Sequence, residues 1–128
     1  MAAPHDLRAL VDRYCAAVTA RDIDAVVAMF TDDAVQADPA SAPPNVGHEA
    51  IRAFLQSAVD ASASTRFEAV TVHTCGNQVA FDFRVTVGLG TSTMVIEGIE
   101  VFTVADDGRI ESVTAYWDDA DVAVTDAP

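Results

Sequence analysis

The stretch QVAFDFRVTVGLGTSTMVIEGIEVFTV, residues 78–104, alternates in hydropathy from one residue to the next. Val79, Phe81, Phe83, Val85, Val87 and Leu89 fall on one side of its first half. Gly88 and Gly90 end that run, and Thr93–Val104 alternates again. Successive side chains of a strand point to opposite faces, so this pattern predicts two strands with a face turned to a core. Downstream, Asp106-Asp107-Gly108 is a hairpin signal and Arg109–Trp117 reads as the last strand. Upstream, Phe67–Thr74 reads as a strand and Gly76-Asn77 as a turn.

Before Phe67 the spacing becomes helical. Leu7, Leu10, Val11, Tyr14 and Val18 share one face of a first helix. Asp22 is an N-cap for a second, carrying Ile23, Val26, Val27 and Phe30. A short strand near Ala34–Ala37 follows, then a loop, and a third helix starts near Gly47 with Ile51, Phe54, Leu55 and Ala58 inward. Ala61–Thr65 is a small-residue linker, and the acidic tail from Asp118 onward is expected to be peripheral. Helices first and antiparallel strands after them define an α+β layout, with helices packed on one face of a curved sheet. With no internal repeat, residues 1–128 read as one domain.

Composition narrows the function. The chain is 51% hydrophobic and 21% charged, which is globular rather than disordered. A net charge of −13 disfavours nucleic acid and anionic membrane, since both call for a basic surface. It leaves a neutral small molecule open. All seven basic residues are arginine, which excludes Schiff-base chemistry on a lysine and a P-loop lysine. No apolar run approaches the roughly 20 residues of a membrane helix. The start, MAAPHDLRAL, lacks a basic region leading into an apolar stretch, so the expected location is cytoplasmic. Cys15 and Cys75 form no Cys-x-x-Cys pair, and Cys15 reads as a small buried thiol. His5, His48 and His73 are scattered, and His48 is most simply solvated.

Three polar residues sit where apolar ones are expected. Tyr14 lies on the buried stripe of the first helix, where its hydroxyl needs a partner; a core tyrosine bonded to backbone satisfies that equally well. In MVIEGIEVFTV, residues 94–104, Glu100 shares a face with Met94, Ile96 and Phe102, and Glu97 shares the other with Val95, Ile99 and Val101. Both faces are mostly apolar, so alternation alone leaves open which acid is buried or whether both reach solvent from an edge. A buried carboxyl would have a raised pKa, and a neutral one can donate a hydrogen bond. In QADPASAPPNVGHEAI, residues 36–51, Asp38 stands before Pro39 in a loop that also holds Pro43 and Pro44. Asp before Pro is commonly a turn residue; the same prolines would also stiffen a loop that aims a carboxylate.

Taken together, the segments RYCAAVTARDIDAVVAMFTDDA, ADPASAPPNVGHEAIRAF and IEVFTVADDGRIESVTAYW make the chain resemble the bacterial Δ5-3-ketosteroid isomerases, within the NTF2-like (SnoaL-like) superfamily that also holds polyketide cyclases and epoxide hydrolases. The resemblance covers nearly the whole chain. The D-P-x-x-x-P-P-x-x-G loop, with Tyr14 upstream, points to the isomerase branch. It implies a cone with three N-terminal helices on a strongly curved, mainly antiparallel sheet, a deep apolar pocket and a homodimer. It assigns Tyr14 as oxyanion donor, Asp38 as general base and Glu100 as a second, protonated donor. It places Trp117 near the base and Phe83 on the pocket wall. Phe54, Phe30 and Phe102 are further candidate substrate contacts. The implied substrate is a small apolar steroid, with no cofactor and no metal.

Two positions depart from the family pattern. The second donor there is ordinarily aspartate, one methylene shorter than Glu100. Tyrosines that support the oxyanion tyrosine are matched here by Phe30 and Leu55, so the resemblance implies that Tyr14 donates without them and that catalysis is slower or differently tuned. Two other readings share the pattern: a cyclase or epoxide hydrolase, and a steroid or lipid carrier without turnover. The hydrolase route uses an acid–arginine–acid set, and the one mid-sheet arginine, Arg84, alternates away from the apolar face.

Overall fold

The computed structural model describes residues 5–126; part of the N-terminal stretch read above for a leader, and the last two residues of the tail, lie outside them. The two alternating runs become β4 (Gln78–Gly88) and β5 (Ser92–Val104), paired antiparallel over their whole length from Gln78–Thr103 to Gly88–Thr93. Around them lie α1 (Leu7–Thr19), α2 (Ile23–Ala28), β1 (Phe30–Ala37), β2 (Asn45–Val46), α3 (Gly47–Asp60), β3 (Ser64–Cys75), β6 (Ile110–Tyr116) and β7 (Val122–Asp126). The sheet order is β2-β1-β6-β5-β4-β3, with β7 added to β5. All pairs are antiparallel except β1–β6.

Asp6 and Asp22 cap the first two helices, accepting hydrogen bonds from the Ala9 and Ala25 amides at 3.0 and 3.1 Å. Such caps satisfy amides that have no partner inside the helix. The inward stripe of α1 is Leu7, Leu10, Val11, Tyr14 and Ala17. It packs on Phe67, Phe81, Phe83 and Phe102 from the concave face of the sheet. Register shifts in the β3–β4, β5–β6 and β1–β6 pairs mark irregularities of the kind that bend and twist a sheet. None of the described helices is long and apolar enough to cross a membrane.

Four features differ from the sequence reading. Phe30 was expected on the second helix. That helix ends at Ala28, because the Met29 carbonyl accepts the Ile110 amide at 2.7 Å and Phe30 pairs with Ile110 to start a strand. Between α2 and α3, where one short strand near Ala34–Ala37 was expected, lie two: β1 starts earlier, at Phe30, and β2 is added before α3. The tail from Asp118 is not wholly peripheral. Val122–Asp126 pairs with Ile96–Ser92, the half of β5 that β6 leaves open. His48 is not simply solvated: a ring nitrogen lies 2.9 Å from the Phe30 carbonyl oxygen.

Gly98 lies where β5 changes partners from β6 to β7. A Cβ there would collide with the Tyr116 carbonyl oxygen and come within 2.9 Å of the Phe83 ring. We expect Gly98→Ala to lower stability by about 1–3 kcal/mol, the usual effect of overpacking a well-filled interior. Chemical denaturation of the purified variant measures it. An unchanged midpoint would mean that β6 moves away freely.

Candidate active site

Between the concave face of the sheet and helices α1 and α3 lies a cavity of about 280 Å³. That is close to the lower end of the roughly 300–1,000 Å³ typical of small-molecule sites. Its walls are mainly apolar, supplied by Phe54, Leu55 and Ala58 of α3, Phe83, Val85 and Val87 of β4, and Met94 and Ile96 of β5. Ser62 and Thr65 add hydroxyl groups to the lining, which also holds a set of four larger polar side chains, Tyr14, Gln36, Asp38 and Glu100. These four belong to the end where β1, β6 and the C-terminal half of β5 meet; Val87, Leu89 and Met94 line the end by the β4–β5 turn. Met94 and Glu100 are six positions apart along β5, roughly 20 Å of strand.

Each polar group is placed by its element. Tyr14 projects from α1 with its ring edge-on to Phe102 at 5.0 Å and to Phe67 at 5.6 Å. Asp38 follows the last residue of β1, and the Asp38–Pro39 peptide is cis. The Ala40 amide donates to the Ala115 carbonyl at 2.7 Å and ties the loop to β6. Trp117, one residue beyond β6, donates its indole Nε1 hydrogen to Asp38 Oδ1 at 2.7 Å. Glu100 sits mid-strand between Phe81 of β4 and Ala115 of β6 and is 3% exposed. Its Oε1 has no hydrogen-bond partner among the described residues. Glu97 takes the opposite fate: on the outer face it meets the Arg84 guanidinium at 3.6 Å in solvent.

The electrostatics follow from burial. Desolvation, then the negative charge of Asp38, push the Glu100 carboxyl well above the usual carboxylate range. Burial also raises Asp38, but the Trp117 indole hydrogen bond opposes it by stabilising the carboxylate. Burial, then the charges of Glu100 and Asp38, hold the Tyr14 phenol well above its ordinary value, so it stays a donor. Burial raises the Cys15 thiol to about 11, so it remains a thiol near neutrality.

Of the residues singled out in the sequence, Tyr14, Asp38, Glu100, Phe83, Phe54 and Trp117 line this one cavity. Phe30 and Phe102 do not. Both are fully buried behind the wall: Phe30 at the start of β1, and Phe102 one strand repeat beyond Glu100, under the rings of Tyr14 and Phe81. Gln36 escaped the sequence reading. It is 3% exposed, on the same side of β1 as Ala34 and two residues before Asp38. The alternation Ala34–Gln36–Asp38 was the available signal.

Residues 11–113 match the SnoaL-like domain family. The chain therefore belongs to the SnoaL-like, NTF2-like family. Within it, the chain is 36% identical over 122 residues to the steroid Delta-isomerase of Nocardioides simplex, covering 95% of this chain and 98% of that one. The resemblance to the ketosteroid isomerases thus holds over almost the full length. Among solved structures it is similar to SalBIII, described as an epoxide hydrolase/cyclase-like enzyme in pyran ring formation in the polyether salinomycin. The TM-score there is 0.83 and the identity 27%, over 92% of this chain and 95% of that one.

Proposed function

We propose that this protein is a steroid Δ-isomerase that converts 3-oxo-Δ5-steroids to 3-oxo-Δ4-steroids. The observation that carries the reading is the pairing of two unlike carboxyl groups in one apolar cavity. Asp38 accepts a hydrogen bond from Trp117, whereas Glu100 is buried with an unpartnered oxygen in the cavity that Tyr14 also lines. Environments that push two acids apart define a base and a proton donor, and ketosteroid isomerase likewise combines an aspartate base with a tyrosine and a protonated acid. The 36% identity to a steroid Delta-isomerase supports the same assignment.

In this mechanism the substrate carbonyl enters toward Tyr14 and Glu100. Asp38 removes a proton from C4; the C–H electron pair forms a C3=C4 double bond, the carbonyl π pair moves onto oxygen, and the dienolate so formed is conjugated with C5=C6. Tyr14 and neutral Glu100 donate hydrogen bonds to the dienolate oxygen; preorganised donors in a dry site are usually the largest catalytic term. Asp38 returns the same proton to C6 and is regenerated, so neither oxidant nor cofactor enters the balance. The loop held by Ala40 and Trp117 keeps the carboxylate in place between the two transfers.

The working unit is proposed to be a homodimer. Ile99 and Tyr116 face each other across β5 and β6 on the outer side of the sheet, 46% and 55% exposed, and supply apolar surface for a second copy. A cyclase or epoxide hydrolase is the second reading, favoured by the likeness to SalBIII. Against it, Arg84 lies outside the cavity in an ion pair with Glu97, so an acid–arginine–acid set is not assembled from it.

A pH prediction separates the base from a bystander. The Trp117 indole hydrogen lowers the Asp38 pKa, so Trp117→Phe raises it. The base must be ionised to act, and the acid limb of the kcat/KM profile therefore moves to higher pH. A limb that stays put, or moves down, would remove Asp38 from the role. Ultraviolet absorbance of the conjugated product reads both the turnover and this shift.

A further inference from the structure

The carboxamide of Gln36 has no part in the mechanism above, and it is a buried polar group on the wall of the cavity. Asn45 of β2 donates its Nδ2 hydrogen to Gln36 Oε1 at 3.2 Å, which fixes the orientation of the amide. The other end, Nε2, has two hydrogens and no acceptor among the described residues. Among the described residues only Glu100 Oε1 is a fully buried side-chain atom without a partner, so Gln36 Nε2 keeps access to the cavity that Gln36 lines, where a ligand acceptor can complete its bonding.

Its position says which part of the ligand. Gln36 pairs with Val113 of β6, and Val113 pairs with Phe102 of β5. Phe102 carries the Tyr14 ring at 5.0 Å, and Glu100 is the next residue on that face of β5. Gln36 therefore stands with the two oxyanion donors and not with Val87 and Met94 at the other end. We propose that Gln36 Nε2 is a third hydrogen-bond donor to the substrate oxygen that becomes the dienolate, oriented by Asn45. This inference rests on the isomerase reading of the cavity. It adds a donor that does not titrate, beside two that do.

The test uses Gln36→Leu and Asn45→Ala with two probes: a phenolic steroid, whose hydroxyl occupies the place of the enolate oxygen, and a neutral 3-oxo-Δ4-steroid. Binding is followed by absorbance and fluorescence, and kcat and KM are measured separately. Gln36→Leu is expected to lower kcat about ten- to a hundredfold with KM little changed, below the full effect of a strong oxyanion donor. It should weaken the phenolic probe about tenfold and the neutral ketone much less. Asn45→Ala should do the same to a smaller degree, and add nothing when Gln36 is already leucine, because it acts only through that amide. A merely structural role would lower the thermal midpoint and weaken both probes alike, and that result overturns the proposal. So does unchanged kcat with unchanged phenol affinity in folded Gln36→Leu; if the wild type turns over in that case, the isomerase reading stands alone. If the wild type binds the phenol through Gln36 but isomerises nothing, the donor stands and the isomerase reading falls. A wild type that neither binds nor turns over overturns both.

Discussion

Asp38→Asn should reduce isomerisation by about 10²–10⁴-fold, the range that a positioned general base contributes. The change keeps the size of the side chain and its ability to accept from the Trp117 indole, which donates to Asp38 Oδ1 at 2.7 Å. It removes the basic carboxylate that takes the proton from C4 in the proposed mechanism. Folding should survive, because the buried site loses an ionisable group and gains a neutral one. The discriminating control is ligand binding. With the Asp38 charge gone, a phenolic steroid should bind at least as well as to the wild type, since that charge raises the pKa of both Tyr14 and Glu100 and opposes negative charge on a ligand oxygen. An Asp38→Asn enzyme that turns over near the wild-type rate would remove this residue as the base.

Glu100→Met should move activity and stability in opposite directions. Losing one oxyanion donor lowers kcat by about 10²–10³-fold. The same change takes out a 3%-exposed carboxyl whose Oε1 has no partner and fills the space with an apolar chain of similar length. Replacing an unsatisfied buried polar group in this way should raise stability by about 1–3 kcal/mol. Glu100→Gln keeps a neutral donor and should retain more activity than Glu100→Met. The pH dependence of stability gives an independent check. The folded-state pKa of Glu100 is raised above its ordinary value of 4.5, so the folded protein holds this proton more tightly than the unfolded chain. Its contribution is fully present below that ordinary value and is lost as pH rises through the folded-state pKa. Stability should therefore fall from mild acid toward alkaline pH, and Glu100→Met should flatten that slope. Urea titrations at several pH values read both effects; a Glu100→Met protein less stable than the wild type would contradict the burial argument.

Much of this site was legible in the sequence because its parts lie on strongly periodic elements. The stripe of α1 placed Tyr14 inward, and the alternation of β4 placed Phe83 on the concave face. The choice between Glu97 and Glu100 was not legible. Val95, Ile99 and Val101 make the outer face of β5 as apolar as the inner one, and only packing against α1 decides which side is core. Phe30 was misplaced because its neighbours fit a helix, while a hydrogen bond from Ile110, 80 residues away, starts a strand instead. The tail strand depends on the free edge of β5, which no local pattern announces. The Trp117–Asp38 hydrogen bond joins residues 79 apart. Gln36 was overlooked for a simpler reason: a glutamine in a four-residue strand reads as an exposed position until the strand proves to be twice that length and buried.

The central claim is that this cavity moves a proton within a steroid. Purified wild-type protein mixed with 5-androstene-3,17-dione, followed by ultraviolet absorbance, tests it most directly. The account predicts a catalytic rise of the conjugated-enone band in the wild type that Asp38→Asn loses. No rise above the buffer rate, in a wild-type sample shown to be folded and to bind a phenolic steroid, would contradict it.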